Sequence, residues 1–384
     1  MATLKNTTIS IASAVVTPNN TTSTAIGTGK LRYNTTNSQN TLEFYDGTAW
    51  RPVTGYSQGL VGTGGNTISY AHGSIVHQFT ALGAHTFTPA HSGTVQVLVV
   101  GAGAASGYDW AAGGGGGGVI FDRAFPVNSG TGYSITVGQG SGQYDTSGVG
   151  SWGPTQAASN GGNSVFSTIT ASGGGGGGSW QPGAPSSMDN GRTGGRTGGS
   201  GGGGSNTGDG VDSRQRNYGG RGIDGQGYPG GSGLRFNADI ENTHQGGGGG
   251  GAGGPGASAP DGRQRYRSSF RGDQIAGGPG RATDILGGSS TLYFGGGGAG
   301  GGHLGWNVNG TTGGIGGGGG GSFHHSGPYG GPQKIGQGGG QSLNNGQDGF
   351  GTARGGHGGA NTGGGGGGGQ HGRGGGSGVV IIKY

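Results

Sequence analysis

Over residues 74–81 and 85–88 apolar and polar residues alternate with the period of two that a pleated strand imposes, and 94–100 is an apolar run of strand length. The pattern predicts strands at 74–81, 85–88, 94–100, 119–121, 133–137 and 164–170, and a last one at 379–384. Residues 379–382 are four successive β-branched side chains, Val-Val-Ile-Ile, which call for a strand covered on both faces. Its expected neighbour is the apolar 94–100 segment, which ends at Gly101. Upstream, Leu31 and Tyr33 alternate with polar neighbours, 34–40 reads as a loop, and 42–45 as a strand. Asp46-Gly47 is a tight-turn pair, and Trp50 lies on a returning strand. A meander this small is not stable alone and calls for packing against other chains. No window sustains a 3.6-residue period, so almost no α-helix is expected.

Composition changes this picture. Of 384 residues 115 are Gly, and only 11 of those fall within residues 1–93. Hydrophobic residues make up 27%, too few for one conventional core of this size. Such a composition usually means a flexible linker. Yet 13 Tyr, 11 Phe and 5 Trp remain, many inside the glycine-rich body, and strands bracket that body on both sides. Collagen is excluded, because the glycines keep no three-residue period with Pro between them. The ordered alternative is a set of polyproline-II-like helices made of glycine, whose N–H and C=O groups point outward and pair with neighbouring helices. Only glycine allows such backbones to touch on every side. The runs 113–118, 173–178, 246–251, 316–321 and 363–369 have similar lengths, about 20 Å at ~3.1 Å per residue. Ordering a residue costs about 1–2 kcal/mol and a backbone hydrogen bond contributes only about 1 kcal/mol net, so the bracketing strands must template the bundle. The expected class is therefore all-β. A meander (1–55) and a linker (56–65) precede sandwich strands (66–172), a polyglycine II bundle with variable loops (173–378) and a closing strand (379–384).

Two stretches carry a family resemblance. Residues 29–53, GKLRYNTTNSQNTLEFYDGTAWRPV, resemble a short module of tailed-bacteriophage fibre and minor tail proteins. Residues 66–384 resemble the glycine-rich domain of such proteins, cyanophage ones included. The matching segments are HQFT at 77–80, TVQVLVVGAG at 94–103, 113–120, YSITVG at 133–138, GGNSVF at 161–166 and GVVIIKY at 378–384. The chain is similar as well to fibre-tip adhesins in the idea of a glycine bundle with variable loops. The resemblance implies a structural virion protein on the particle exterior, a tail fibre or adhesin without enzymatic activity or cofactor. It implies other tail or baseplate proteins as partners of the N-terminal part. For the loops it implies a host outer-membrane protein or lipopolysaccharide, and a homotrimer is the expected oligomer. The alternatives are a structural tail or capsid component whose loops pack on other virion proteins, and an envelope polysaccharide depolymerase.

Candidate chemistry narrows the choice. Cysteine is absent, which excludes disulfides and thiolate metal sites. Net charge is +5, and 13 of the 16 Arg lie beyond residue 171, but ten acids share that stretch, which argues against nucleic-acid binding. Glu241 is the one Glu after residue 93, a poor basis for a depolymerase. Repeated GxGxxG is a consequence of composition, Arg271-Gly-Asp273 of chance. The histidines at 303, 324, 325, 357 and 371 are too scattered to nominate a metal site. The apolar patch at 9–16 is a weak signal-peptide indication. What stands out are islands between glycine runs, centred about every 20–28 residues. They carry Trp180, Arg214, Arg216, Tyr218, Arg265, Tyr266, Arg267, Phe270, Trp306, His324, His325 and Tyr329. Aromatic faces and guanidinium forks dominate recognition surfaces, stacking on sugars or pairing with phosphates. These twelve are the candidate receptor-binding residues; the bland alternative is that they cap the bundle or pack on neighbouring virion chains.

Overall fold

In the computed structural model the described residues are 31–34, 41–45, 48, 50–52, 62–71, 74–109, 112–142, 158–180, 193–205, 216–238, 241–260, 274–287, 291–303, 310–324, 335–350 and 354–384. They are strand-rich, without helix, and the class is all-β. The chain divides into two units, Met1–Gly62 and Thr63–Tyr384. In the first, β1 (Leu31–Asn34), β2 (Thr41–Tyr45) and β3 (Trp50–Pro52) form an antiparallel sheet, with Leu31 opposite Phe44 and Tyr45 opposite Trp50. The expected turn at Asp46-Gly47 lies outside the described residues.

The second unit contains β4 (Thr67–Ala71), β5 (Ser74–Phe79), β7 (Gly93–Val100), β8 (Val119–Val127) and β19 (Val379–Lys383) in one sheet, ordered β4-β5-β19-β7-β8. A second sheet has the order β11-β10-β9-β6, from β6 (Gly83–Phe87), β9 (Tyr133–Val137), β10 (Ser164–Phe166) and β11 (Ile169–Ala171). The closing strand takes the central place that its sequence called for. It pairs with β7, Ile381 opposite Leu98, and on its other side with β5, Ile381 opposite Gln78. Because side chains alternate across a strand, β19 feeds two cores. Val380 and Ile382 join Val97, Val99, Phe79, Phe87, Ile135 and Phe166, so both sheets share this cluster. Val379 and Ile381 join Val76, Leu98, Val100 and Val119, and the remaining members, Ala252, Ile285 and Phe294, come from the glycine-rich body.

Two strands differ from the expected ones. The run read as one strand at 164–170 is a hairpin, because Ser167 adopts φ 50 between β10 and β11. The strand read at 119–121 continues to Val127 and includes Pro126, which is tolerated because β8 is an edge strand. Strands also occur inside the islands, where the hydrophobic pattern indicates none. β15 (Arg281–Thr283) pairs with β16 (Leu292–Phe294) beside the second core cluster. A five-stranded sheet is ordered β12-β13-β14-β17-β18, from β12 (Arg216–Asn217), β13 (Gly233–Ala238), β14 (Glu241–Gln245), β17 (Gly302–His303) and β18 (Phe323–His324).

The glycine runs are hydrogen-bonded along their described length. In 113–118 the N–H groups donate in rotation to three segments. Gly113 and Gly116 donate to Gly247 and Gly250, Gly114 and Gly117 to Gly366 and Gly363, and Gly115 and Gly118 to Gly175 and Ser172, at 2.8–3.0 Å. Carbonyls of the same run accept from three further segments. Gly203 and Ser200 donate to Gly113 and Gly116, Gly298 to Gly114, and Ala104 and Gly101 to Gly115 and Gly118. One run is thus surrounded by six others. A Cβ on Gly115 would run into the Ser200 carbonyl and one on Gly117 into the Gly101 carbonyl. This contact, rather than backbone freedom, is what requires glycine here.

Candidate functional site

The glycine segments leave the first sheet at Val100 and Val119 and return to it at Val379. Near that sheet they reverse in short turns. Val119 N–H donates to the Gln226 carbonyl, Gly117 N–H to that of Gly363, and Gly295 and Gly363 take φ values of +71° and +68° there. The opposite ends lie some six residues further on. There Gly107 donates to Ala112, Ala112 to Gly178, Trp180 to Tyr108, Gly178 to Gly203, and Ser205 to Thr193. The β12–β18 sheet and a small cluster of Leu234, Ala259, Ile275 and Phe323 belong to this far end.

The four described candidate residues, Trp180, Arg216, Tyr218 and His324, share that location in the topology. The described residues flanking the candidate-bearing stretches are Trp180 and Thr193, Ser205 and Arg216, Pro260 and Gln274, His303 and Gly310, and His324 and Ile335, at the far end. Trp180 is half-buried, and its indole meets the His244 ring edge-on with centroids 6.5 Å apart. Its Nε1 is buried with no hydrogen-bond partner among the described residues. Tyr218 is exposed, and its carbonyl accepts from Gly195 N–H. Arg216 lies in β12 opposite Leu234. His324 lies in β18 opposite His303, itself opposite His244, so these three positions form one row across three strands. Arg214, Arg265, Tyr266, Arg267, Phe270, Trp306, His325 and Tyr329 fall outside the described residues.

A second group at the far end was not nominated by sequence. Arg354 is bridged to Phe350 on one side and to His371 on the other. The Arg373 guanidinium lies 5.5 Å from the Phe350 ring centre; its Nε donates to the Gly355 carbonyl at 3.2 Å and its Nη1 is 3.4 Å from His357 Nε2. The His371 ring packs edge-on against Tyr108, centroids 6.0 Å apart. Burial and then the Arg373 charge hold His357 below its ordinary range, against an opposing hydrogen bond to the Gly374 backbone. Burial, Arg354 and Arg373 lower His371, and burial and Arg354 lower Arg373. Asp109, next to Tyr108, is pushed up to about 6 by burial. The available signal was the pair of basic doublets Arg354-Gly-Gly-His357 and His371-Gly-Arg373 on either side of the longest glycine run.

Among the described side chains no group of three or more His, Cys, Asp or Glu surrounds a common point suited to a metal ion. No described helix is long and apolar enough to cross a membrane. No protein-family model matches this chain, and no curated protein matches it in sequence.

Proposed function

We propose that the chain is a structural component of a tailed-phage fibre or adhesin, whose loops at the far end of a glycine bundle contact the host envelope. On this reading the glycine segments are polyglycine II helices and the two sheets of the Thr63–Tyr384 unit form a sandwich that clamps them. The return of each run's N–H groups to the same neighbour at every third residue supports a helix of three residues per turn. A cluster drawn from both sheets supports the sandwich. The observation that carries the functional reading is the placement of the described island residues Trp180, Tyr218 and His324, together with the Arg354–Arg373 group, at the end remote from the sheets. A purely mechanical rod gains nothing from placing these aromatic and basic residues there, whereas a binding tip does. On the same reading the N-terminal part joins other tail or baseplate proteins, as a homotrimer, and no reaction is catalysed.

The test is direct. Purified protein should bind intact bacteria of a susceptible host and reduce infection by the phage that carries it. Antibody against the far-end islands should label the distal periphery of the particle. Labelling confined to the tail body, with neither cell binding nor protection, would replace this reading with that of an internal tail fitting. Release of sugar fragments from envelope preparations would replace it with that of a depolymerase.

A further inference from the structure

We propose that Arg354, His357, His371 and Arg373 form a binding site for a phosphate group. The four side chains come from two segments, 354–357 and 371–373, which run out from and back to the 363–369 glycine run. Their backbones are fixed. Arg373 N–H donates to Ser106 Oγ at 2.7 Å, its carbonyl accepts from Ser106 N–H at 2.9 Å, and the His357 carbonyl accepts from Gln347 N–H at 2.9 Å. Arg354 and His371 are held side by side by their bridge, and Arg373 reaches His357. Phe350 beneath the Arg373 guanidinium and Tyr108 against the His371 ring keep both groups oriented.

Like-charged groups assembled on rigid backbone raise one another's cost, and here the charged forms of His357, His371 and Arg373 are disfavoured first by burial and then by their cationic neighbours. An anion placed among them reverses the second effect. Two guanidinium groups and two imidazoles carry positive charge over several points, which suits the three or four oxygens of a phosphate better than the two of a carboxylate. The half-buried position of His357, His371 and Arg373 reduces screening by solvent. That the phosphate belongs to an envelope glycolipid, rather than being a free ion, rests on the fibre reading above.

The full-length protein should bind inorganic phosphate in titration calorimetry, and vesicles doped with a phosphorylated glycolipid more tightly than vesicles holding its dephosphorylated form. Arg354 is exposed, so Arg354→Gln should lower phosphate affinity about tenfold at an unchanged melting temperature. Sulfate, whose charge is constant between pH 6 and 8, should bind more tightly at pH 6. Binding then draws protons onto His357 and His371, and Asp109, which follows Tyr108, loses its repulsive charge. Arg354→Gln with wild-type affinity, or a wild-type protein that ignores phosphate at millimolar concentration, overturns the site. Phosphate binding with equal affinity for both vesicle types overturns only the envelope source, and leaves the anion site standing.

Discussion

A methyl group added to Gly115 has nowhere to go, because the Ser200 carbonyl already occupies its place. Shifting that carbonyl means shifting a segment whose own N–H groups serve the neighbouring runs. Gly115→Ala should therefore cost at least about 2–3 kcal/mol in denaturant unfolding. Gly93→Ala, at an exposed β7 position with nothing within 4 Å of the new Cβ, should change stability by no more than about 0.5 kcal/mol. Equal effects would mean that the run tolerates side chains. His77 is a residue-scale lock of another kind. Fully buried, it lies 2.6 Å from the Gly64 carbonyl through Nδ1 and 3.1 Å from the Tyr384 hydroxyl through Nε2, while its ring stacks on Tyr384. Burial, against the hydrogen bond to Gly64, keeps its pKa below the usual 6.5. The unfolded chain thus takes up the proton first, so stability is intact above pH 6.5 and declines as pH falls from there toward the folded-state value. His357 and His371 act with the same sign, and Asp109, raised to about 6, offsets part of the loss from pH 6 down to its ordinary 3.8. Thermal melts from pH 7.5 to 5 should fall, and His77→Gln should flatten the slope by up to about 1.4 kcal/mol per pH unit. A slope identical in both proteins would remove His77 from the account.

Elements were legible to the extent that side chains specified them. Alternating or apolar strand-length runs marked every strand of the two shared-core sheets except β4, and the β-branched run at 379–382 marked the one strand that must be covered on both faces. A single backbone torsion at Ser167 broke one of these strands, and an edge position let Pro126 extend another. Neither property shows in a hydrophobicity pattern. The β12–β18 sheet was invisible for a different reason. Its strands are two to six residues long, separated by up to 56 residues, and held by backbone register more than by apolar side chains. The same holds at the candidate site. The stretches bearing Trp180, Tyr218 and His324 were legible as islands, but the Arg354–His357 and His371–Arg373 doublets become neighbours only because the 363–369 run carries the chain from the sheet back to the far end. The 281–294 island went the other way, placing Ile285 and Phe294 in the core beside β19 instead of at the far end.

At the scale of the whole Thr63–Tyr384 unit, glycine segments and sheets depend on each other. A hydrogen bond adds about 1 kcal/mol net, and ordering a residue costs about as much or more, so glycine runs gain little from their own contacts. The apolar side chains at the boundary supply the difference. Ile381, Leu98 and Val100 on the sheet meet Ala252, Ile285 and Phe294 from the glycine-rich body in one cluster. If that boundary holds both parts, they open together. Glycine amides of 113–118 should then exchange with solvent as slowly as the amides of β19. Ile381→Ala, which removes about 2–5 kcal/mol from the boundary, should accelerate both sets by the same factor, at least about 30-fold. Hydrogen exchange followed by mass spectrometry separates the two regions on peptides. Glycine amides exchanging at free-peptide rates while β19 stays protected would mean that the runs are not packed rods. Acceleration confined to β19 would mean that the rods stand without their clamp, and with it would go the reason for the chain to return to the sheet after its last glycine.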